Sequence, residues 1–220
     1  MPNWCMNRCV FSGPQAELTQ LLNTMHGEAE VFDFSKVMPM PAALRDIHTG
    51  SNKIDGVDYT AWRTEGEGDA AKSVGLSTED LLALQEEYGA SDWYEWANEH
   101  WGTKWGACDS EVKKDAEQLT YDFNTAWGPP EPFLNILSAK FPTLRLLHMY
   151  AEPGASFGGT VRYVNGEQVE HESACGESIR GLSAWHEDQM GDDEEEEEDY
   201  DDGLDDDDGL DEDDNADEEE

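Results

Sequence analysis

Positively charged residues are scarce in this sequence. Its 220 residues include 13 Lys and Arg against 52 Asp and Glu, a formal net charge of −39. Residues 191–220 contain 22 acids and no Lys or Arg, and residues 187 and 188 are acidic as well. Residues 1–186 therefore keep 28 acids and all 13 bases, which gives 13 − 28 = −15. Because such a chain cannot neutralise phosphates, we expect positively charged partners and no direct binding to nucleic acid.

Long apolar runs are missing too. No stretch of the sequence approaches the roughly 20 residues that span a bilayer, so no membrane association is expected. The first eight residues lack the basic start and the apolar segment of a signal peptide. We therefore expect a cytoplasmic protein whose four Cys are thiols.

Recognisable catalytic and metal-binding motifs are also absent. The sequence contains no C-x-x-C pair, H-E-x-x-H motif, P-loop or G-x-S-x-G elbow. Cys5 and Cys9 share one face of a predicted strand about 13 Å apart, too far to chelate zinc together from a straight strand. We predict no catalytic residues, no metal and no cofactor, and keep a thiol enzyme built on Cys5, Cys9 or Cys108 as an alternative hypothesis.

The elements predicted at the N-terminus come from simple periodicity. All eight Trp lie within residues 1–186, which predicts a substantial core there. Alternating apolar residues predict a strand over Asn3–Phe11, and a 3.6-residue spacing predicts a helix over Gln15–Met25. Val31–Phe34 is predicted to be a short second strand.

Residues 38–115 are predicted to be an insertion. Frequent Gly and Pro over residues 38–75 indicate loop-dominated structure. A helix is predicted to start at Ser77, a short one to cover Asp92–His100, and a helical turn to lie within Asp109–Glu117.

Regular elements return after the insertion. The predicted elements are a strand around Leu119–Phe123, a helix at Pro132–Lys140, a strand at Leu144–Ala151, and a hairpin of Thr160–Val164 and Gln168–His171 turning at Asn165-Gly166. The order predicts an α+β fold, a ferredoxin-like split βαβ sandwich with a helical and loop insertion and an added C-terminal hairpin. The sequence predicts this domain over residues 1–186 and a disordered polyacidic tail over residues 187–220.

Several short strings together resemble a known family. They are Pro2-Asn3-Trp4-Cys5 with Asn7, Trp101-Gly102-Thr103-Lys104-Trp105, Thr125-Ala126-Trp127 before Pro129-Pro130, and Tyr150 with Glu152-Pro153-Gly154. This pattern resembles the YubB/Api-type ferredoxin-like proteins of phages and plasmids, a domain of unknown function numbered 1281. The resemblance covers roughly residues 2–166. It implies a ferredoxin-like fold and an origin on a mobile element, and it implies no reaction.

A tryptophan-rich string offers one candidate binding site. Trp101 and Trp105 flank Lys104 in an otherwise acidic chain, and Trp127 lies in a second string of the same kind. These four residues could stack a base or sugar and hold its phosphate, which makes a nucleotide-binding protein one hypothesis. The competing interpretation, which aromatic residues at turn spacing favour, is that the indoles pack the insertion onto the sheet.

The acidic tail offers a second candidate site. An extended chain at ~3.4 Å per residue places a tail charge about every 4.6 Å, close to the ~3.4 Å spacing of a nucleic-acid strand. The leading hypothesis is a non-enzymatic accessory protein that mimics nucleic acid and binds a basic host protein, such as a nuclease, a defence factor or a DNA-binding protein. The candidate partner-binding residues are Asp192, Asp193, Glu194, Glu195, Glu196, Glu197, Glu198, Asp199, Asp205, Asp206, Asp207 and Asp208.

Overall fold

The computed structural model describes residues 3–66 and 68–176, and within these ranges nine strands and five α-helices form two sheets with their covering helices. The strands are β1 (Trp4–Ser12), β2 (Ile47–Ile54), β3 (Val57–Glu65), β4 (Lys72–Gly75), β5 (Cys108–Lys114), β6 (Gln118–Ala126), β7 (Arg145–Glu152), β8 (Phe157–Val164) and β9 (Glu167–Cys175). The helices are α1 (Gln15–Met25), α2 (Ala42–Arg45), α3 (Thr78–Tyr88), α4 (Trp93–His100) and α5 (Glu131–Lys140). The predicted acidic tail lies outside the described residues.

The main sheet has the order β5-β6-β1-β7-β8-β9, and every neighbouring pair is antiparallel. Helix α1 follows β1, and α5 connects β6 to β7. The four strands β1, β5, β6 and β7 with these two helices make the split βαβ arrangement of a ferredoxin-like domain. The hairpin β8–β9 extends the sheet at one edge, so the predicted fold class is confirmed.

One face of the main sheet carries the core, as the alternation in β1 predicts. Cys5, Cys9 and Phe11 are buried on this face, and the intervening residues of β1 are less buried. Helices α1 and α5 cover it with fully buried apolar side chains. Those side chains are Leu18, Leu21 and Met25 of α1, and Phe133, Leu134 and Leu137 of α5.

Two predicted elements in this part of the chain were wrong. Val31–Phe34 is not a strand, because Phe32 and Phe34 both turn into the core and a 3₁₀ helix follows at Phe34–Lys36. The second strand of the ferredoxin-like unit is β5, where a helical turn was predicted. As an edge strand with mostly polar residues, β5 has no clear apolar alternation to reveal it.

Part of the segment predicted as an insertion forms a second sheet with its own core. Strands β2, β3 and β4 make a three-stranded antiparallel sheet where loop-dominated structure was expected, so that expectation was wrong. The predicted helix starts are confirmed, because Ser77 and Asp80 form a capping box and Asp92 caps α4. The second core consists of Leu44, Ile47, Ala61, Leu76, Ala90 and Trp96.

The predicted hairpin turn is confirmed. Asn165 and Gly166 have φ values of 50° and 83°, and two positive values in succession are typical of the tight turn that joins antiparallel strands. The Gly166 amide donates to Ser138 Oγ at 3.1 Å, which ties the hairpin to α5.

Among the described helices, none is long and apolar enough to cross a membrane.

Candidate functional site

Three indoles surround one ammonium group at the end of β6. Lys104 Nζ lies 4.5 Å from the ring centroid of Trp105, 5.4 Å from that of Trp127 and 5.8 Å from that of Trp93. All three distances are within the roughly 6 Å range of a cation–π interaction. We call Trp93, Trp105 and Trp127 the tryptophan cage, and Lys104 is its occupant.

Backbone geometry holds the cage in place. Gly102 has φ +81°, a left-handed conformation that starts the turn carrying Lys104 and Trp105. The next residue, Thr103, is buried and donates its hydroxyl to the carbonyl of Trp105. Trp127 has φ +68°, which costs a non-glycine residue on the order of 1 kcal/mol, and its amide donates to the Asn3 carbonyl at 2.9 Å. The cage is therefore built on constrained turns.

The cage belongs to a larger exposed aromatic surface. Trp105 is 37 % exposed, Trp127 is 45 % exposed and Tyr94, whose ring contacts Trp93, is 42 % exposed. Trp4 of β1 is 36 % exposed, and its ring centroid lies 6.3 Å from that of Trp105. Clustered, partly exposed indoles are the side chains that dominate binding energy at protein interfaces. This surface is the strongest interaction candidate of the folded part.

The charge around the cage is unusual for a lysine site. In the described part of the chain, Lys104 has no carboxylate within ion-pair distance, although the chain is rich in acids. Residues 73–103 contain no Lys or Arg, and they include the exposed Glu95 and Glu99 of α4. Lys104 is therefore a single cation held by indole faces beside an acidic helix.

The structure brings together three of the four residues predicted for a ligand site. Lys104, Trp105 and Trp127 meet, whereas Trp101 lies apart from them. The Trp101 indole donates its Nε1–H to the Met38 carbonyl at 3.0 Å and packs against Phe34 and Trp96, so it joins the two cores. Binding of a ligand by these residues stays a prediction.

Sequence reasoning missed Trp93 as a member of this group. Its one signal was the predicted helix over Asp92–His100, which ends directly before the string that carries Lys104 and Trp105. The length of this helix does not show where its first residue lies relative to the string. The contact between Trp93 and Lys104 depends on the turn at Gly102, which spacing along the chain does not reveal.

A set of hydrogen-bonded polar side chains is buried inside the core, and two of its members, Asn7 and Thr125, come from strings that carry the family resemblance. Asn7 Nδ2 donates to the Cys5 carbonyl and to Thr125 Oγ1, both at 2.8 Å. Asn7 Oδ1 lies 3.0 Å from His148 Nε2. Burial lowers the pKa of His148 to about 3, so this imidazole is neutral. The group connects β1, β6 and β7 and is closed to solvent.

The thiols are poorly placed for nucleophilic chemistry. Burial, reinforced by the charge of Glu152, raises the pKa of Cys5 to about 12. Burial also raises the pKa of Cys9 well above its ordinary value and that of Cys108 to a smaller extent. A thiolate is the reactive form of cysteine, so these environments oppose its formation. Within residues 3–66 and 68–176, no three His, Cys, Asp or Glu residues gather to hold a metal ion.

The sheet face opposite the helices carries both ion pairs and half-buried apolar side chains. Arg8 donates to both carboxylate oxygens of Asp122, at 2.6 and 2.8 Å. Half-buried apolar side chains on the same face include Met6, Val10, Leu147 and Met149. The predicted partner-binding acids, Asp192 to Asp208, lie outside the described residues.

Comparisons with known proteins agree with this architecture. The family model described as a ferredoxin-like domain in Api92-like protein matches residues 100–219. The uncharacterized protein YubB of Escherichia coli (strain K12) is 37% identical over 86 residues, which are 37% of this chain and 58% of that protein. The chain thus spans less than two thirds of that relative.

One solved structure was also matched. The crystal structure of a protein api92 from Yersinia pseudotuberculosis has 12% sequence identity and a TM-score of 0.45, and the match covers 80% of this chain and 99% of that chain. The family model covers more than half of the 220 residues. The chain therefore belongs to the family of ferredoxin-like domains in Api92-like proteins, a domain of unknown function.

Proposed function

We propose that this protein is a non-catalytic binding protein that engages a basic partner at the surface with which the partner binds nucleic acid. The observation that carries the proposal is the acidity of both parts of the chain. The last 30 residues contain 22 acids and no base. Residues 3–66 and 68–176 contain 26 Asp and Glu against 12 Lys and Arg, so the folded part reinforces the field of the tail.

Of the described helices, α3 contains the most acidic residues. Glu79, Asp80, Glu86 and Glu87 are all exposed on α3, and no Lys or Arg lies between residues 73 and 103. Asp80 is partly committed to the Ser77 cap, whereas the other three carboxylates face solvent. A row of carboxylates of this kind attracts a cationic groove over distances up to the Debye length, about 8 Å at physiological salt.

The partner class follows from the charge density of the tail. Its carboxylates have nearly the linear spacing of phosphates, so a groove shaped for a nucleic-acid backbone is the natural complement. A nuclease, a DNA-binding protein or a defence factor of a bacterial host presents such a groove. In this proposal the protein acts as an accessory factor of a phage or plasmid and blocks that groove.

The alternatives have weaker support. A thiol enzyme needs a stabilised thiolate, and the environments of Cys5, Cys9 and Cys108 raise their pKa values. A nucleotide pocket of the predicted residues needs the Trp101 indole, but Trp101 donates to the Met38 carbonyl and packs between the two cores. Neither alternative is supported by an observation as strong as the excess of acidic residues in both parts of the chain.

The proposal is tested by changing the charge of the tail while keeping its length. The full chain is compared with a variant whose residues 191–220 carry Asn and Gln in place of Asp and Glu. Both are used to capture proteins from a nuclease-treated bacterial lysate at low and moderate salt. Each captured protein is then tested for release of a labelled DNA duplex on addition of the full chain.

We expect the full chain to retain a basic nucleic-acid-binding protein, to lose it as salt rises and to displace its DNA. The neutral-tail variant should retain it much less. Equal retention by both chains would move binding to the folded part. If variants of the exposed α3 acids Glu79, Glu86 and Glu87 to Gln also left retention unchanged, the proposed electrostatic function would be wrong.

A further inference from the structure

The tryptophan cage has the geometry of a cation-binding site. A cation within about 6 Å of an indole centroid is attracted by the negative face of the ring. Lys104 Nζ satisfies this condition for Trp93, Trp105 and Trp127 at once. Aromatic cages that recognise cationic side chains use several rings around one positive group in the same way. In this molecule the bound cation comes from the chain itself.

The occupant is held by the rings without help from a carboxylate. Across the described ranges, no Asp or Glu oxygen lies within 4.0 Å of Lys104 Nζ. A lysine side chain is long and flexible, and its ammonium group is strongly hydrated. The cage and water therefore compete for this group, and withdrawing it from the rings breaks no ion pair among those residues.

The net charge of the folded part favours a positive ligand over a negative one. Residues 3–66 and 68–176 carry 26 Asp and Glu against 12 Lys and Arg. Lys104 is the only Lys or Arg between residues 73 and 112. An anionic ligand would approach through this negative field, whereas a cationic side chain would be drawn toward it.

We propose that the tryptophan cage is a docking site for an arginine or lysine side chain of the basic partner, and that Lys104 occupies this site in the free protein. The inference rests on the proposed function, because it assumes a basic partner. An arginine suits the site well, since its planar guanidinium stacks on aromatic faces and is less strongly hydrated than an ammonium. Lys104 then moves away from the rings and into solvent.

This arrangement makes an unusual prediction about Lys104. Its removal should strengthen binding of a cation, because the ligand no longer has to displace it. A site for an anionic ligand such as a nucleotide would require the lysine, and its removal would weaken binding. The same substitution therefore gives opposite results for the two classes of ligand.

The test uses the full chain with small probes. Tetramethylammonium chloride and N-acetylarginine amide serve as cations, and guanosine monophosphate serves as the anion, all at constant ionic strength. Binding is followed by the NMR signals of the eight Trp indole N–H groups, which single Trp→Phe variants assign. These signals report the cage directly, so weak association of a probe with the acidic tail does not interfere.

The variants are chosen with matched controls. Lys104→Met removes the charge and keeps the length of the stem, and Lys53→Met is its control on exposed β2. Trp105→Phe and Trp127→Phe keep an aromatic ring but weaken the interaction, and Trp62→Phe on β3 is their control. Thermal unfolding identifies any variant that fails to fold, and the two Phe variants give a readout of the cage that does not depend on Lys104→Met.

We expect Lys104→Met to strengthen cation binding at least about threefold and the two Phe variants to weaken it by a similar factor. The control variants should leave it unchanged. Loss of cation binding in Lys104→Met would overturn the proposal, as would guanosine monophosphate binding that depends on Lys104.

The proposed function is judged separately by the neutral-tail variant, which leaves the cage intact. If the full chain displaces DNA from a basic protein but Lys104→Met binds cations no better, the cage inference alone is wrong. If Lys104→Met gains affinity for the cations but no basic protein is retained by the full chain, the ligand class of the cage is supported and the proposed function is wrong.

Discussion

The Nε2–H of His148 on β7 donates to Oδ1 of Asn7 on β1 at 3.0 Å. The direction of this bond follows from Asn7, whose amide nitrogen is already committed to the Cys5 carbonyl and Thr125 Oγ1. The imidazole proton therefore lies on Nε2, and Nδ1 is a buried acceptor with no donor in the described part of the protein. Protonating Nδ1 would bury an unpaired charge.

This geometry predicts that the fold loses stability as the pH falls. The pKa of His148 is about 3 in the folded protein, because burial disfavours its charged form, and is about 6.5 in an unfolded chain. Between these values the unfolded state binds more protons, so lower pH favours unfolding. We expect His148 to account for a loss of about 2 kcal/mol in the free energy of unfolding between pH 7 and pH 5.

The measurement is urea denaturation at both pH values for the parent and for His148→Gln. The variant should lose about 2 kcal/mol less than the parent over this interval, because its amide does not titrate. His26→Gln, a change of an exposed histidine, controls for carboxylate effects that all the proteins share. An identical pH dependence in the parent and in His148→Gln would show that burial of His148 is not linked to acid sensitivity.

Two glycines with the same backbone conformation separate strain from steric overlap. Gly89 and Gly102 have φ values of +77° and +81°. A Cβ on Gly89 would meet nothing within 4 Å, whereas one on Gly102 would lie 2.5 Å from Cδ of Pro132. We expect Gly89→Ala to cost about 1 kcal/mol and Gly102→Ala to cost a further 1–3 kcal/mol, approximately.

Urea denaturation of the two variants measures this difference. Because Gly102 starts the turn that carries Lys104 and Trp105, its variant should also change the indole signals of the cage. Gly89→Ala should leave those signals unchanged. Equal costs for the two substitutions would mean that Pro132 moves aside and that the turn is not fixed by this contact.

Elements with a strong local signal were predicted correctly from the sequence. The helix Gln15–Met25 has its apolar residues on one face and buries them, and the Asn165-Gly166 pair has the backbone that its turn requires. Val31–Phe34 was wrong because alternating apolar residues also occur where a bent chain places two phenylalanines in one core. Strand β5 was missed since its stability comes from pairing with β6 and not from its own sequence.

The candidate site was predicted only in part, for a different reason. The string around Lys104 could be recognised as a candidate site from the sequence, because it places aromatic residues beside one of the few cations. Trp93 reaches the same site through α4, and Trp127 reaches it through the end of β6. Such convergence is a property of the tertiary fold, so no local pattern could assign Trp93 to the cage or Trp101 to the core.

The four cysteines should differ widely in their reaction with iodoacetamide. Cys175 is exposed and should react first, whereas Cys108 is half-buried and has a raised pKa. Cys5 and Cys9 are fully buried with strongly raised pKa values, and should react only when the protein unfolds. Mass spectrometry of timed samples gives the order. Rapid labelling of Cys5 or Cys9 in the native protein would contradict this prediction and support the thiol-enzyme hypothesis.

Two ion pairs on the main sheet should contribute very different amounts to stability. Arg8 contacts both oxygens of Asp122, and the Asp122 side chain is only 9% exposed. Arg162 and Glu170 approach to 2.7 Å, but their side chains are 56% and 68% exposed. Water and salt screen the exposed pair, so Glu170→Gln should cost about 0–1 kcal/mol.

Asp122→Asn should cost more, about 2–3 kcal/mol, because it removes a largely buried carboxylate that pairs with both Arg8 and Lys113 and breaks a link between β1 and β6. Urea denaturation at 0.05 and 0.5 M NaCl separates the two cases. The cost of Glu170→Gln should shrink at the higher salt, whereas the cost of Asp122→Asn should change little. If the two substitutions cost the same at both salt concentrations, solvent reaches Asp122 and the pair on β1 and β6 is no stronger than one at the edge of the sheet.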